Sequence, residues 1–352
     1  MVTLKKLRIA VAGAGIYGTT IALKLAQAGA RVVLHDPLGI VRAATAINQL
    51  RVHSGYHYPR SPETIQEVLE ERDEFIKEFR DSIAGDVQSH YAIPHEGSLT
   101  KPDDFEMVCR KFSLPLKEVR PAWIDFDYIE KAYLVDEYIY DPDALRTSLE
   151  RRINKAKIFF EKRSFLEKEK KDYDYVVYAT YGTSGSHMFL YDNIQVQVAE
   201  KILVELPVEL RKQSLVIIDG PFTAFDPYGK SDRFQFGSAK HTNHWSTFDP
   251  NEDIPKQYRF LLNIGEFTKI GFTHFEKMAA DARKAVPLCS KAQYLGSRFT
   301  LRLVEYNPPE DRRILKISQS DPKTFHVFSG KVVSSVKAAN IILEKIVKSE
   351  RL

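Results

Sequence analysis

The stretch that most constrains this chain is Leu7-Arg8-Ile9-Ala10-Val11-Ala12 running into Gly13-Ala14-Gly15-Ile16-Tyr17-Gly18. A helical pattern follows, and then Arg31-Val32-Val33-Leu34-His35-Asp36. This order predicts a strand, a tight glycine turn, a helix and a second parallel strand. Gly13 permits the turn, Gly15 lets backbone approach a pyrophosphate, and Gly18 lets helix and strand pack closely. The helix start then offers unpaired N–H groups and a favourable dipole to the phosphates. Asp36, at the end of the second strand, is placed to accept from a ribose hydroxyl. Ala22, Ala26 and Ala28 interleave with Ile21, Leu23 and Leu25, as suits a helix pressed on a sheet, and Gly29 ends it.

A length of 352 residues calls for one large domain or two intertwined ones. Lys+Arg number 51 against 47 Asp+Glu, a net charge of only +4 with the signs mixed, so there is no nucleic-acid footprint. Cys109 and Cys289 have no metal-type spacing and read as two buried thiols in a reducing compartment. No stretch has transmembrane length, and the N-terminus lacks a signal peptide's apolar run, so the expectation is a cytoplasmic protein without a membrane partner.

Beyond Asp36, residues 42–60 are too irregular for an ordinary helix or strand, yet they concentrate Thr45, Asn48, Gln49, His53, Tyr56, His57 and Tyr58. Such polar, aromatic loops are built around ligands more often than around a core. Ser61-Pro62-Glu63 starts a helix whose apolar face carries Ile65, Val68, Leu69, Ile76, Phe79 and Ile83, and it reads as purely structural. Residues 90–140 suggest strands and loops of a second region, with Ala132–Tyr140 as one strand leading out. Asp141-Pro142 opens a helix over 144–153, which returns to a strand at 157–160. The charged run 161–171 reads as a solvated hairpin. Asp174–Gly182 is a buried strand ending in small residues, which makes Thr180 and Gly182 candidates for the crevice of Gly13.

From Gln195 the pattern has period two. Segments 195–205, 214–219, 233–238 and 292–302 predict one antiparallel sheet, interrupted by a helix around 264–285. Phe325-His326-Val327-Phe328-Ser329-Gly330-Lys331-Val332 then repeats the order strand, glycine, helix start, returning to the first sheet.

These stretches resemble, in order and over nearly the whole length, the FAD-dependent oxidoreductase family that includes D-amino-acid oxidase, glycine oxidase and sarcosine oxidase. The resemblance rests on the GAGIYG turn, Asp36, the Thr45…Asn48 segment, the VVYATYG strand and the terminal FHVFSGKVV. It implies an α/β fold with a Rossmann-like FAD-binding domain built from separated segments (1–90, 141–190 and 318–352). A second α+β domain (91–140 and 191–317) would contain an antiparallel sheet over the flavin. It implies FAD as cofactor, with contacts at Gly13, Gly15, Ile16, Tyr17, Gly18, Asp36, Thr45, Asn48, Gln49, Thr180, Gly182, Gly330, Lys331 and Val332. The reaction implied is hydride removal from a CH–NH or CH–OH carbon of a small amine, amino acid or hydroxy acid, free or carried on a larger molecule.

The chain departs from the family pattern at Gln49-Leu50-Arg51, at the extra Tyr181, at Lys331 and at Ser334-Ser335. Arg298 falls near the family's carboxylate-binding arginine, and Arg302 shares its strand face by parity. Either could bind substrate, with Tyr58 and Tyr228 as further pocket candidates. Lys331 could stabilise a reduced flavin, and His53 and His57 could move protons. His241 and His244 lack a third ligand at metal spacing, so no metal is expected. A second resemblance, of Tyr56-His57-Tyr58-Pro59 and FSGKVVSSVKAA to the UDP-galactopyranose mutases, implies a non-redox flavin isomerase or lyase as the alternative.

Overall fold

The computed structural model describes residues 4–181, 193–249, 251–306 and 312–351. Its first sheet comprises β1 (Arg8–Ala12), β2 (Arg31–His35), β9 (Phe159–Glu161), β10 (Tyr175–Tyr178), β17 (Lys316–Asp321) and β18 (Thr324–Phe328), in the order β17-β18-β10-β1-β2-β9. All neighbours run parallel except the antiparallel edge pair β17 and β18. The inner strands β1, β10 and β18 are apolar almost without a break because helices cover the sheet. Helix α1 (Ile16–Gln27) follows β1 directly and packs on α7 (Ser335–Ser349).

The second sheet has nine strands: β5 (Gln88–Pro94), β6 (Leu116–Val119), β7 (Ile129–Val135), β11 (Ile194–Glu205), β12 (Gln213–Ile217), β13 (Thr223–Pro227), β14 (Phe234–Ser238), β15 (Asn243–Thr247) and β16 (Gln293–Glu305). Strands from 88–135 and from 194–305 therefore share one sheet. It is antiparallel except where β5 and β12 pair in parallel, a correction to the all-antiparallel expectation. A small third sheet, β3 (Arg51–Val52), β8 (Tyr138–Tyr140) and β4 (Ile83–Ala84), lies between them in the chain. The remaining helices are α2 (Pro62–Glu78), α3 (Pro102–Lys111), α4 (Pro142–Lys155), α5 (Lys256–Arg259) and α6 (Phe275–Ala285). The largest apolar cluster joins the first sheet to α1, α2, α4 and α7, and a second one lies between the nine-stranded sheet and α6.

Three further expectations are corrected. The stretch 132–140 is two strands in different sheets, because the chain turns at Asp136-Glu137 and the Glu137 carboxylate is drawn inward. The run 161–171 is the end of β9 and a 3₁₀ helix over Glu167–Asp172, not a hairpin. The helix around 264–285 begins only at Phe275. Gly265 has φ 147°, and Leu262 and Phe267 bridge to Phe299 and Ser297, so this segment is pinned as a loop along β16. No helix among the described residues is long and apolar enough to cross a membrane.

Candidate active site

The site starts at the β1–α1 turn. Gly13 has φ +97°, and a Cβ there would lie 2.5 Å from the Ala179 carbonyl oxygen at the end of β10. A Cβ on Gly18 would lie 1.8 Å from the Gly13 carbonyl oxygen, so the first turn of α1 can seat on the loop only with glycine in both places. Gly15 is the N-cap, and no side chain caps the helix from that position. Thr45 reaches in from the next segment, its Oγ1 accepting from the Ile16 N–H at 3.1 Å. Asp36 accepts from the N–H groups of Ala14 (2.8 Å), Leu38 (2.8 Å) and Gly39 (3.1 Å). A carboxylate offers about four acceptor positions, so one is left for a further donor.

A cavity of about 540 Å³ extends from this turn to the nine-stranded sheet. Gly13, Gly15, Ile16, Tyr17, Asp36, Thr45, Asn48, Gln49, Thr180, Gly330, Lys331 and Val332 all line it, as do His53, His57, Tyr58 and Arg302. Gly18 is not among its lining residues and serves packing instead, and Gly182 lies outside the described residues. Arg298 and Tyr228 are likewise not among the lining residues. The Arg298 guanidinium donates to the Tyr228 hydroxyl and to the Ala46 carbonyl (3.0 Å). The register of β11 against β16 is regular through Arg298 and Arg302, so the parity holds, but only Arg302 is at the cavity. Its Nε donates to Gln197 Oε1 at 2.8 Å.

His53 and His57 stack with 5.0 Å between ring centroids, and Tyr58 meets both edge-on. Lys331 is buried and its ammonium is held by the Glu67 carboxylate of α2, while the Tyr17 hydroxyl donates to the Lys331 carbonyl. Burial depresses the Lys331 pKa, and Glu67 opposes that shift. Glu71, one turn further along α2, accepts from the Ser334 hydroxyl, and burial pushes its pKa up. Helix α2, read from its sequence as purely structural, thus supplies the counter-charge of the terminal motif.

Sequence reasoning also missed the charged floor of the cavity. Arg51 is fully buried and donates to Glu137 (3.0 Å), to Ser214 and to both oxygens of Asp226. Glu137 also accepts from the Tyr91 hydroxyl (2.9 Å) and the Ser54 N–H (3.0 Å), and His53 Nδ1 stands 3.4 Å away. Burial alone would raise its pKa, but His53 and Arg51 outweigh it and hold the carboxyl well below its usual range. Gln49 links Asp226 (2.5 Å) to the Lys201 ammonium (2.7 Å), and Lys201 lines the cavity. Burial, with the Arg302 charge adding to it, brings the Lys201 pKa down to about 7, while Asp226 opposes the shift.

Removing the central cation strands two buried carboxylates. Arg51→Met is expected to cost about 3–5 kcal/mol in urea unfolding, with part recovered when Glu137→Gln is added. An unchanged midpoint would contradict this account of the cluster.

Compared with known proteins, residues 8–254 match the model of a family described as FAD dependent oxidoreductase. The FAD-dependent monooxygenase FPY4 of Fusarium mangiferae is 25% identical over 247 residues, 66% of this chain and 64% of that protein, so the aligned part spans just under two thirds of that relative. The FAD-dependent monooxygenase kojA of Aspergillus flavus is 22% identical over 391 aligned positions, covering 97% of this chain and 86% of that protein. Among solved structures, glycine oxidase from Geobacillus kaustophilus has a TM-score of 0.70 at 13% identity, covering 97% of this chain and 95% of that one.

Proposed function

Because this chain belongs to the family of FAD-dependent oxidoreductases, we propose that its cavity holds FAD beside a carboxylate-bearing amine, which is oxidised at the carbon bearing nitrogen. The observation that carries the proposal is that one cavity is lined at the glycine turn by Gly13, Gly15 and Asp36, and also by the guanidinium of Arg302 and the amine of Lys201. The residues at the turn fit the cofactor. The cradle excludes a Cβ at Gly13, the helix start has no side-chain cap at Gly15, and Asp36 keeps an acceptor position for a ribose hydroxyl. When bound there, FAD supplies the two-electron acceptor.

The chain's own residues do the rest. Arg302, fixed by Gln197, offers its guanidinium to a substrate carboxylate. Lys201, with a pKa near 7, takes the proton from the substrate ammonium and so frees the nitrogen lone pair that hydride loss requires. His53 and His57 wall the cavity with Tyr58, and Lys331 with its Glu67 partner holds the terminal loop. The glycine oxidase likeness supports an amino-acid substrate. The family match favours this redox reading over the isomerase or lyase alternative. The two large sheets support a division into a cofactor domain (1–90, 141–190 and 318–352) and a substrate domain (91–140 and 191–317), with the bounds near 90 and 318 moved slightly earlier, because β5 begins at Gln88 and β17 at Lys316. Two buried, unpaired cysteines suit a cytoplasmic setting.

The test is anaerobic titration of the FAD-loaded protein with amino acids, N-alkyl amino acids, uncharged amines and 2-hydroxy acids. Bleaching of the flavin absorption by carboxylate-bearing amines, and weaker bleaching in Arg302→Leu, is expected. Bleaching by none of the panel, or equal bleaching by uncharged amines, would sink the substrate proposal. The family assignment would stand on flavin content alone.

A further inference from the structure

On the sheet face away from the cavity lies a cluster that the proposed reaction leaves unused. Ala199 and Lys201 of β11 line the cavity, and Glu200 between them faces the other way, its side chain completely buried. There it meets His244 from β15 and His274 from the start of α6. One donor atom from each of the three residues falls within 4.8 Å of the other two. We propose that Glu200, His244 and His274 form a binding site for a zinc-class divalent cation.

The surrounding hydrogen bonds are those that prepare such ligands. Glu200 Oε1 accepts from the hydroxyls of Thr273 (2.6 Å) and Ser297, which fixes the carboxylate and leaves Oε2 toward the imidazoles. Oε2 takes His244 Nε2 at 2.7 Å and the His274 N–H at 3.0 Å. His274 Nδ1 lies 2.7 Å from the His241 carbonyl oxygen. A carbonyl can only accept, so Nδ1 carries the proton and the neutral ring has its lone pair on Nε2. A ring nitrogen donating to a carbonyl while the other is left as ligand is the usual arrangement behind a metal-bound histidine. Four hydrogen bonds, from His244, Ser297, Thr273 and the His274 backbone N–H, thus converge on the Glu200 carboxylate and hold it in place for a cation.

Two imidazoles and one carboxylate are borderline-soft and hard donors together, a set that suits zinc and its neighbours rather than calcium or magnesium. The rings stack with centroids 4.0 Å apart and planes 11° apart. Parallel rings cannot both aim a lone pair at one ion, so binding opens the stack, and the ion replaces the hydrogen between His244 and Glu200. The His244 ring is buried, whereas His274 is partly open to solvent, so water as a fourth ligand enters from the His274 side. The ion would tie β11, β15 and α6 together behind Lys201.

The test uses untagged, FAD-loaded protein stripped of metal by chelator dialysis. Titration with cobalt(II) is expected to give one equivalent of tetrahedral bands on the long-wavelength side of the flavin absorption. Zinc should displace them and raise the melting temperature with concentration. His274→Ala and His244→Ala should abolish the bands, Thr273→Ala should weaken binding about 10- to 100-fold, and His241→Ala, which keeps its carbonyl, should bind as before. Circular dichroism verifies that each variant is folded. No uptake by the unmodified protein, or uptake unchanged in both His→Ala variants, would overturn the proposal.

Discussion

Gly18→Ala is expected to yield protein that carries almost no flavin and melts well below the parent. The added methyl would stand 1.8 Å from the Gly13 carbonyl oxygen, which is backbone and has no side-chain freedom with which to retreat. Helix α1 must therefore lift off the turn, and α1 packs on both β2 and α7. Overpacking of this kind costs about 1–3 kcal/mol and more where backbone must move. Gly15→Ala is the informative contrast. Gly15 has φ −70°, open to any residue, and its Cβ would meet only the Thr45 hydroxyl at 3.1 Å. That variant should keep most of its thermal stability and lose flavin, because the methyl projects where a pyrophosphate would lie. Absorption of the purified proteins, before and after addition of FAD, together with thermal melts, separates the two effects. Normal flavin content in Gly18→Ala would show that the turn does not hold the cofactor.

The glycine turn was legible because its three glycines, at 13, 15 and 18, lie within six residues between a strand and a helix, although the close approach that Gly13 permits is to Ala179, far along the chain. Asp36 and the terminal Gly330-Lys331 stretch were legible for the same reason, since each sits at the end of an apolar strand. The charged floor was not. Arg51 finds Glu137 86 positions away and Asp226 175 away, and Gln49 finds Lys201 152 away. Period-two patterning identifies a strand and its two faces without saying which strand lies beside it. Parity alone put Arg298 and Arg302 on one face, yet the cavity reaches only the latter. Helix α2 did carry an unread signal. Glu71 lies on the stripe of Val68 and Phe75, and a carboxylate on an apolar stripe must find a buried partner, here Ser334.

Lys201→Met is expected to lower kcat/KM for the amine substrate by about 10²–10⁴ at neutral pH while leaving flavin content and melting temperature close to the parent's. The side chain faces the cavity and, among the described residues, its one hydrogen bond goes to Gln49, so its loss leaves no buried charge unpaired there. The sign of the pH dependence follows from its depressed pKa. Lys201 must be neutral to accept a proton from the substrate ammonium, so activity of the parent should rise through about pH 7 and level off above it. In Lys201→Met that rise should disappear, and activity should return only at higher pH, where the substrate ammonium ionises in water without help. Lys201→Arg places a permanent cation at the site that cannot give up its proton at any working pH. It should therefore resemble Lys201→Met in rate, although a positive charge stands beside the substrate carboxylate. A Lys201→Met enzyme with the parent's pH profile would remove the base from this mechanism and leave Lys201 as a positioning cation beside Arg302.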